Sequence, residues 1–264
     1  MTDLTISIIS TNERHHLEKL LPGIDGASTG LNLEVFVIDN ASSDGTSEYV
    51  KENFPSFRII RQAKKTGFSS NNNLALKEGK GKYFLVLNPD TILPVNGLSK
   101  MISFHEKHDE AGISVAKLVN PDNSLQYTAR RFPRPSAILL RYMGLDKLVP
   151  DNPVSRKYLI SDWDRSSERE IDWALGAFLL ANHEFFLSIG GFDEKFDPLY
   201  YEDIDLCFRV RKAGKKIFFN PDVVVIHQYH RESAKGCFNK MTYYHMRNII
   251  RFFLKNGIPK WTTP

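Results

Sequence analysis

A run of mostly β-branched residues, Thr5-Ile-Ser-Ile-Ile-Ser10, stands near the start of the chain and predicts a buried strand. Asn12 follows it as a helix cap, before leucines that recur at helical spacing. A second apolar run, Leu33-Glu-Val-Phe-Val-Ile38, predicts another buried strand that ends at Asp39. The order strand, helix, strand is typical of the beginning of an α/β fold.

The alternation of helices and strands continues along the first third of the chain. A helix is predicted after Asp44, a strand at 57–60, a helix around Asn73–Glu78 and a strand at Tyr83–Leu87. Near-continuous apolar strands between helices predict a largely parallel central sheet, covered on both faces, within a single α/β domain. Ligands of such sheets bind at the carboxyl ends of the strands.

The middle of the chain is less regular. Prolines and basic residues become frequent after Val119, which predicts an irregular excursion beside an acceptor site, with a short helix near Ala137–Leu140. The β-like run Ile171–Leu180 is interrupted by Gly176 and Ala177. Small residues at such a break let a ligand approach the backbone.

The composition is that of an ordinary globular protein, with 264 residues of which 42% are apolar, enough for a large core. No apolar run reaches the roughly 18 residues of a spanning helix, and the first residues lack the pattern of a signal peptide. Cys207 and Cys237 have no CxxC spacing, so neither a metal cluster nor a disulfide framework is predicted. We therefore expect a cytoplasmic protein with reduced thiols.

The net charge of +4 conceals an asymmetry along the chain. From Leu206 to Pro264 the charge is 12 − 2 = +10, and the first 205 residues carry 23 − 29 = −6. A basic segment favours nucleic acid, an anionic membrane surface or a phosphorylated substrate as its partner. Nucleic acid is disfavoured, because the chain has no zinc-finger spacing and no RNP-like aromatic motif.

The carboxyl end of the chain predicts a strand and a helix. The apolar run at 223–226 ends at His227. The segment Phe238–Lys255 predicts a basic amphipathic helix, with His245 and Phe252 on its apolar face. Such a helix either lies on a membrane or a partner, or docks on its own domain.

Polar residues follow three of the predicted strands. The clusters are Thr11, Asn12 and Glu13, then Asp39, Asn40 and Ser42, and finally Asn88 and Asp90. Each cluster alone is also what turns and caps favour, but all three are expected to face one crevice. The chain has neither GxGxxG nor GxxxxGK[ST], so it lacks the phosphate cradle of a dinucleotide oxidoreductase or a P-loop phosphotransferase.

Three acids, Glu202, Asp203 and Asp205, begin a predicted helix whose last turn is basic before Gly214. This order of charges is favourable for the helix dipole, and that effect alone would explain why acidic residues occupy the first turn. Carboxylates held close together also raise one another's pKa, whereas the helix terminus lowers it, so one acid could be a base near neutral pH. The pattern is consistent with both a structural and a catalytic role.

Six segments of the chain carry a family resemblance, in this order: Ile6-Ser-Ile-Ile-Ser-Thr-Asn12, Val37-Ile-Asp-Asn-Ala-Ser-Ser-Asp-Gly-Thr46, Gly67-Phe-Ser-Ser-Asn-Asn72, Leu87-Asn-Pro-Asp90, Gly190-Gly-Phe-Asp-Glu194 and Tyr201-Glu-Asp-Ile-Asp-Leu206. Together they resemble the family 2 inverting glycosyltransferases of the GT-A fold, close to the bacterial rhamnosyltransferase-like branch. The resemblance extends from Thr5 to about Ser233. It implies one GT-A domain with a nucleotide-sugar-binding half at 1–118, an acceptor and catalytic half at 119–233 and a basic helical tail at 234–264.

The resemblance assigns residues to the sugar donor. It implies that base and ribose are held by Thr11, Asn12, Glu13 and Asp39. The further donor-binding residues are Asn40, Gly67, Asn72, Asn88, Asp90 and Arg231. Asp90 and His227 would bind Mg²⁺ or Mn²⁺, which neutralises the departing diphosphate. Asn88 stands where the family's DxD motif often has its first acid, so this site has one charge fewer.

The resemblance also assigns the catalytic base and the pocket for the sugar and the acceptor. Asp203 matches the family's catalytic base, which takes the proton of the acceptor hydroxyl as that oxygen attacks the anomeric carbon. The pocket for sugar and acceptor is expected from Trp173, Gly176, Ala177 and Glu202. Asp205 either positions substrate or supports the helix.

The implied function is inverting transfer of L-rhamnose from dTDP-rhamnose to a hydroxyl of a cell-surface polysaccharide or a polyprenyl-diphosphate-linked precursor. A UDP-hexose is the alternative donor, because spacing does not separate thymidine from uridine. A rival class is a catalytically silent nucleotide-sugar-binding subunit of a membrane-associated assembly. The expected partners are a nucleotide sugar and a glycan acceptor, without nucleic acid, and with peripheral contact to the cytoplasmic face of the inner membrane.

Overall fold

The fold is built around a sheet of nine strands. The computed structural model describes residues 1–142, 149, 152–228 and 240–260. The strands of the sheet are β1 (Leu4–Ser10), β2 (Leu33–Asp39), β3 (Arg58–Arg61), β4 (Tyr83–Leu87), β5 (Thr91–Ile92), β6 (Ala111–Val119), β8 (Arg169–Ile171), β10 (Phe178–Asn182) and β11 (Lys216–His227). Two short strands, β7 (Ala129–Arg130) and β9 (Trp173–Ala174), form a separate antiparallel pair.

Most strands of the sheet run in one direction. The order is β3-β2-β1-β4-β10-β6-β11-β5, with β8 also paired to β11. The strands β1 to β4, β6 and β11 are mutually parallel, whereas β10 lies antiparallel between β4 and β6. β5 and β8 run antiparallel to β11. The predicted mostly parallel sheet is therefore confirmed.

Helices cover both faces of the sheet. They are α1 (Arg14–Leu20), α2 (Ile24–Ala27), α3 (Thr46–Asn53), α4 (Phe68–Glu78), α5 (Gly97–Glu106), α6 (Pro135–Tyr142), α7 (Pro153–Leu159), α8 (His183–Ser188), α9 (Glu202–Lys212) and α10 (Lys240–Asn256). α4 begins earlier than the pattern around Asn73 predicted, because its first turn is polar. The predicted run at 171–180 divides into β8, β9 and β10, and its break includes Gly176.

Two apolar clusters hold these layers together, one on each face of the sheet. Successive side chains of β2 point to opposite faces of the sheet, so Val37 belongs to one cluster and Phe36 to the other. The cluster around Val37 includes leucines of α1 and Leu98 of α5. The cluster around Phe36 includes Leu76 of α4, together with apolar residues of α9 and α10. The last residues of β1 and β2, Ser10 and Asp39, are buried polar residues outside both clusters.

The C-terminal helix α10 docks on its own domain. Ile249 and Phe252 lie in the core, and the side-chain nitrogen of Asn248 lies 2.5 Å from the carbonyl oxygen of Phe196 and 3.0 Å from that of Tyr200. Residues 238–239 of the predicted helix lie outside the described residues. Among the helices of the described ranges, none combines the length and the apolar character needed to cross a membrane.

Candidate active site

The loops after β1 and β2 are joined by polar side chains. Asn40 connects three segments, because its Oδ1 accepts a hydrogen bond from the N–H of Thr66 at 2.8 Å and its Nδ2 donates to Oγ1 of Thr11 at 3.1 Å. Asn12 has a φ of 58°, and its Oδ1 accepts from the N–H of Ser43 at 2.7 Å. The strand-end residues are thus held together at one edge of the sheet.

Asp39 lies buried beneath this edge. Its oxygens accept hydrogen bonds from the N–H of Ser42 at 2.8 Å and from the hydroxyl of Ser47. The side chain of Arg61 lies 3.9 Å from Oδ2. In this structure Asp39 orders the loop after β2, and a contact with ribose stays a prediction.

Glu13 links the first polar cluster to the third. Burial raises the pKa of Glu13 to about 7, against the effect of the N–H of Thr11, and the charges of Asp90 and Asp44 raise it further. The N–H of Thr11 donates to Oε2 of Glu13 at 3.2 Å. A carboxyl group with this pKa can donate as well as accept a hydrogen bond near neutral pH, which suits a polar ligand such as a nucleobase.

Asp90 and His227 form a pair at the edge of the sheet. Oδ1 of Asp90 lies 3.3 Å from Nε2 of His227. Nδ1 of His227 lies 2.8 Å from Oε1 of Gln126, which can only accept, so Nδ1 carries a proton and the ring is held with Nε2 toward Asp90. Burial would raise the pKa of Asp90, but the hydrogen bond and charge of His227 and the charge of His16 lower it. Asp90 is therefore an ionised carboxylate beside an oriented imidazole.

A cavity of about 290 Å³ lies next to this pair. Seven of the residues that the sequence assigned line it: Asn88, Trp173, Gly176, Ala177, Glu202, Asp203 and His227. The sequence analysis did not assign several others, among them Phe68, Arg130, Tyr158, Tyr200, Tyr201 and His245. These residues come from segments far apart in the sequence, and no local pattern marks them as neighbours.

Asp203 and Glu202 stand at the first turn of α9, and their environments differ. Burial raises the pKa of Asp203 to about 6, while the N–H groups of Ile204 and Gly176 and the charge of Arg130 stabilise its ionised form. Burial and the charge of Asp203 raise the pKa of Glu202 well above its usual value. Oε2 of Glu202 is buried without a hydrogen-bond partner in the described residues. The shared proton therefore favours Glu202, and Asp203 is the carboxylate that can act as a base.

The break after β9 brings backbone close to Asp203. A Cβ atom added to Gly176 would lie 3.2 Å from the ring of Phe68 and 3.8 Å from Cβ of Asp203, so a larger residue would narrow the cavity. Trp173 is 3% exposed, and its Nε1 donates to the carbonyl oxygen of Arg131 at 2.7 Å. Trp173 is thus both a core residue and a wall of the cavity.

Two assigned donor residues, Gly67 and Asn72, take part in the packing of α4. Gly67 caps α4, and a side chain there would collide with Asp197, whose Oδ1 accepts from the N–H of Ser69 at 2.9 Å. Asn72 is buried in α4, where its Oδ1 accepts from the hydroxyl of Ser7 at 2.7 Å. Arg231 lies outside the described residues. A donor contact of Gly67 or Asn72 stays a prediction, and in this structure both support the packing of α4.

Asp205 is fully buried and belongs to a different network from Asp203. Its carboxylate accepts from Nε of Arg209 at 2.8 Å and lies 2.8 Å from Nζ of Lys255. Nδ2 of Asn256 donates to the same group at 3.0 Å. Of the two roles left open for Asp205, the structure gives it the supporting one, because it attaches the end of α10 to α9.

Solved glycosyltransferases share this architecture. A mannosyltransferase from Pyrobaculum calidifontis, solved with GDP-Man and Mn²⁺, superposes with a TM-score of 0.63 and 18% identity over 99% of this chain, which spans 65% of that chain. TarS residues 1–349 from S. aureus, solved with UDP-GlcNAc, superposes with a TM-score of 0.62 and 13% identity over 98% of this chain and 68% of that chain. The fold is that of the GT-A glycosyltransferases.

The sequence matches the model of glycosyl transferase family 2 over residues 5–160, and the chain belongs to this family. It is 27% identical to the rhamnosyltransferase WbbL of Escherichia coli, over 96% of this chain and 93% of the relative. It is also 27% identical to an N-acetylglucosaminyl-diphospho-decaprenol L-rhamnosyltransferase of Mycobacterium tuberculosis, over 99% of this chain and 87% of the relative. These similarities confirm the family and the branch that the motifs indicated.

Proposed function

We propose that the protein transfers L-rhamnose from dTDP-rhamnose, with inversion, to a hydroxyl of a cell-surface polysaccharide or of its lipid-linked precursor. The observation that carries the proposal is a buried carboxylate, Asp203, which lines the same cavity as His227, and His227 in turn contacts Asp90. The two rhamnosyltransferase relatives support rhamnose as the sugar.

In this reaction the acceptor hydroxyl gives its proton to Asp203, and its oxygen forms a bond to the anomeric carbon of the donor. The bond between that carbon and the diphosphate breaks, and thymidine diphosphate leaves with the bonding electrons. Burial and the charge of Asp203 raise the pKa of Glu202 and favour its protonated form, which can position a substrate oxygen by donating a hydrogen bond. A single displacement on opposite faces inverts the anomeric configuration.

The donor is tested by thermal stabilisation of the protein with a panel of nucleotide sugars. Because a ligand that binds only the folded state raises the apparent stability by mass action, dTDP-rhamnose should raise the melting temperature more than UDP-glucose at equal concentration. A larger effect of UDP-glucose would favour the alternative donor. Asp122, in an exposed turn, offers an Asp122→Asn control that should respond like the wild type.

The pair Asp90 and His227 fits a divalent ion. Two ligand atoms about 2.1 Å from one ion, at roughly right angles, lie about 3 Å apart, close to the 3.3 Å between Oδ1 of Asp90 and Nε2 of His227. Across the described ranges, no group of three or more His, Cys, Asp and Glu side chains forms a metal site. We infer that Asp90 and His227 would hold Mg²⁺ or Mn²⁺ when the donor is bound, and that the ion would supply positive charge to the departing diphosphate.

Replacing Asp90 with Ala should remove the metal dependence of nucleotide binding. In the wild type, Mn²⁺ should raise the affinity for thymidine diphosphate, measured by isothermal titration calorimetry. The variant should bind at least about tenfold more weakly than the wild type in Mn²⁺, because a direct ligand is lost. Equal affinities of the wild type with and without Mn²⁺ would rule out the metal assignment, and Asp122→Ala serves as the matched control.

The outer face of α10 carries an exposed apolar stripe. Tyr243, Met246, Ile250 and Leu254 recur at helical spacing and are 63%, 39%, 55% and 83% exposed. Residues 240–260 contain five Lys and Arg and no Asp or Glu. An apolar stripe on a basic helix is complementary to an anionic membrane surface. We infer that this face contacts the membrane and brings the cavity, which His245 of the same helix lines, to a lipid-linked acceptor.

Charges on the apolar stripe should detach the protein from lipid. The double change Ile250→Glu and Leu254→Glu should lower binding to vesicles that contain phosphatidylglycerol by at least about tenfold, because each buried apolar side chain contributes about 1.5–3 kcal/mol. Cosedimentation measures this, with Val95→Glu as control, since Val95 is 73% exposed outside α10. Unchanged cosedimentation, or a change that affects only self-association, would contradict the membrane contact.

A further inference from the structure

Arg130 is a cation of the cavity, and no acidic side chain of the described ranges lies within ion-pair distance of it. It lies at the end of β7 and is partly buried. Among the lining residues that the structure describes, it is the one Lys or Arg, and within those same ranges it forms no ion pair. A guanidinium group placed in a cavity without a counter-ion is poised for an anionic ligand.

The guanidinium of Arg130 is held in place by contacts that leave its terminal nitrogens for a ligand. Its Nε donates to the carbonyl oxygen of Tyr127 at 2.6 Å. Its central carbon lies 5.3 Å from the ring centroid of Trp173 and 5.7 Å from that of Tyr158. Stacking on the aromatic rings fixes the plane of the guanidinium group. A guanidinium group held in this way can bind a phosphate with two parallel hydrogen bonds.

The position of Arg130 relative to Asp203 indicates which substrate it meets. Both residues line the same cavity, and the charge of Arg130 stabilises the ionised carboxylate of Asp203. In an inverting displacement the base and the leaving diphosphate lie on opposite faces of the anomeric carbon. The donor diphosphate belongs to Asp90 and His227 in the proposed function, so an anion at Arg130 belongs to the acceptor.

We propose that Arg130 binds a phosphate or diphosphate group of the acceptor, which is then a sugar carried on a phosphorylated lipid. The inference rests on the proposed function and specifies its acceptor. Ile138 and Leu199 line the same cavity and provide apolar surface for the first part of the lipid chain. A neutral glycan end would leave the cation of Arg130 without a partner.

The test is the binding of geranyl diphosphate in metal-free buffer, with geraniol as the uncharged probe. Arg130→Met should weaken the binding of geranyl diphosphate by about 10- to 100-fold, because a charge-assisted hydrogen-bond pair is lost. Arg130→Lys should lose less affinity for geranyl diphosphate, since lysine keeps the positive charge but cannot form the two parallel hydrogen bonds of a guanidinium group. Geraniol should bind weakly and equally to all variants, and thymidine diphosphate with Mn²⁺ should bind Arg130→Met like the wild type.

Arg58→Met is the matched control, because Arg58 also stacks on a ring, 4.5 Å from the centroid of Phe36, but lies on β3. It should bind geranyl diphosphate like the wild type. The inference would be overturned if Arg130→Met bound geranyl diphosphate as tightly as the wild type does. It would also be overturned if Arg130→Met lost as much affinity for thymidine diphosphate as for geranyl diphosphate. If Arg130→Met does not fold, unchanged binding by Arg130→Lys overturns it. Absence of rhamnose transfer by the wild type would contradict the proposed function alone, because geranyl diphosphate binding needs no donor.

Discussion

Replacing Asp203 with Asn is expected to lower the rate of sugar transfer by about 10²- to 10⁴-fold, because the amide cannot take the proton of the acceptor hydroxyl. The affinity for the nucleotide sugar should be nearly unchanged, since the residues assigned to bind the donor lie outside α9. Steady-state kinetics with dTDP-rhamnose separate the two effects as kcat and KM. A fall of less than about tenfold would show that Asp203 is not the base.

The pH profile gives an independent readout of the same residue. Burial raises the pKa of Asp203 to about 6, and only the ionised form accepts a proton. The rate of the wild type should therefore be constant above this pH and fall by about tenfold per pH unit below it. Asp203→Asn should lack this fall.

Loss of the Asp203 charge should not unfold the protein. A folded-state pKa above the unfolded value means that the contribution of the group to stability is full at low pH and is lost as the pH rises through the folded pKa of about 6. Above that pH the Asn variant should be at least as stable as the wild type. Glu202→Gln is the matched control, because burial and the charge of Asp203 favour the neutral form of Glu202, and this variant should lose much less activity than Asp203→Asn.

Replacing Asp205 with Ala is expected to cost about 3 kcal/mol of unfolding free energy, because Arg209 and Lys255 lose a buried carboxylate. The value lies at the lower end of the range for broken buried pairs, since Lys255 is 34% exposed and can turn to water. Urea unfolding at neutral pH measures the change. The same variant should also loosen α10, which Asp205 attaches to α9.

The control for Asp205 is an exposed ion pair on another helix. Arg14 and Glu18 are 43% and 44% exposed, and Glu18→Ala should cost less than about 1 kcal/mol. If both variants lose the same stability, the buried network is no stronger than a surface pair and Asp205 does not hold the C-terminal helix.

The parts of the fold with local periodicity were predictable from the sequence. β1, β2 and β4 are near-continuous apolar runs, and their polar ends mark the edge of the sheet where Asn40, Asp90 and Asp203 lie. The short strand β5 was missed because two residues carry no periodicity. β10 was predicted only as part of a longer run, and nothing local indicates that it enters the sheet antiparallel between β4 and β6.

The candidate site was predictable where an unusual residue stands at a strand or helix end, as with Asp203, Asp90 and His227. The other residues of the site were not predictable, because contacts between segments far apart in the sequence bring them to the cavity. Arg130 reaches the cavity only because β7 pairs with β9. Likewise, the carboxylate of Asp197 accepts a hydrogen bond from the first turn of α4, although it lies more than a hundred residues away in the sequence. Gly67 lacks a side chain and so leaves room for this carboxylate.

In the proposed reaction, one displacement with Asp203 as base transfers the sugar from its diphosphate to an acceptor hydroxyl. The decisive measurement is the anomeric configuration, by nuclear magnetic resonance, of the product made from dTDP-rhamnose and a polyprenyl-diphosphate-linked acceptor. A glycoside inverted relative to the donor is expected, with one thymidine diphosphate released for each bond formed. A product that retains the configuration of the donor would contradict the proposed reaction.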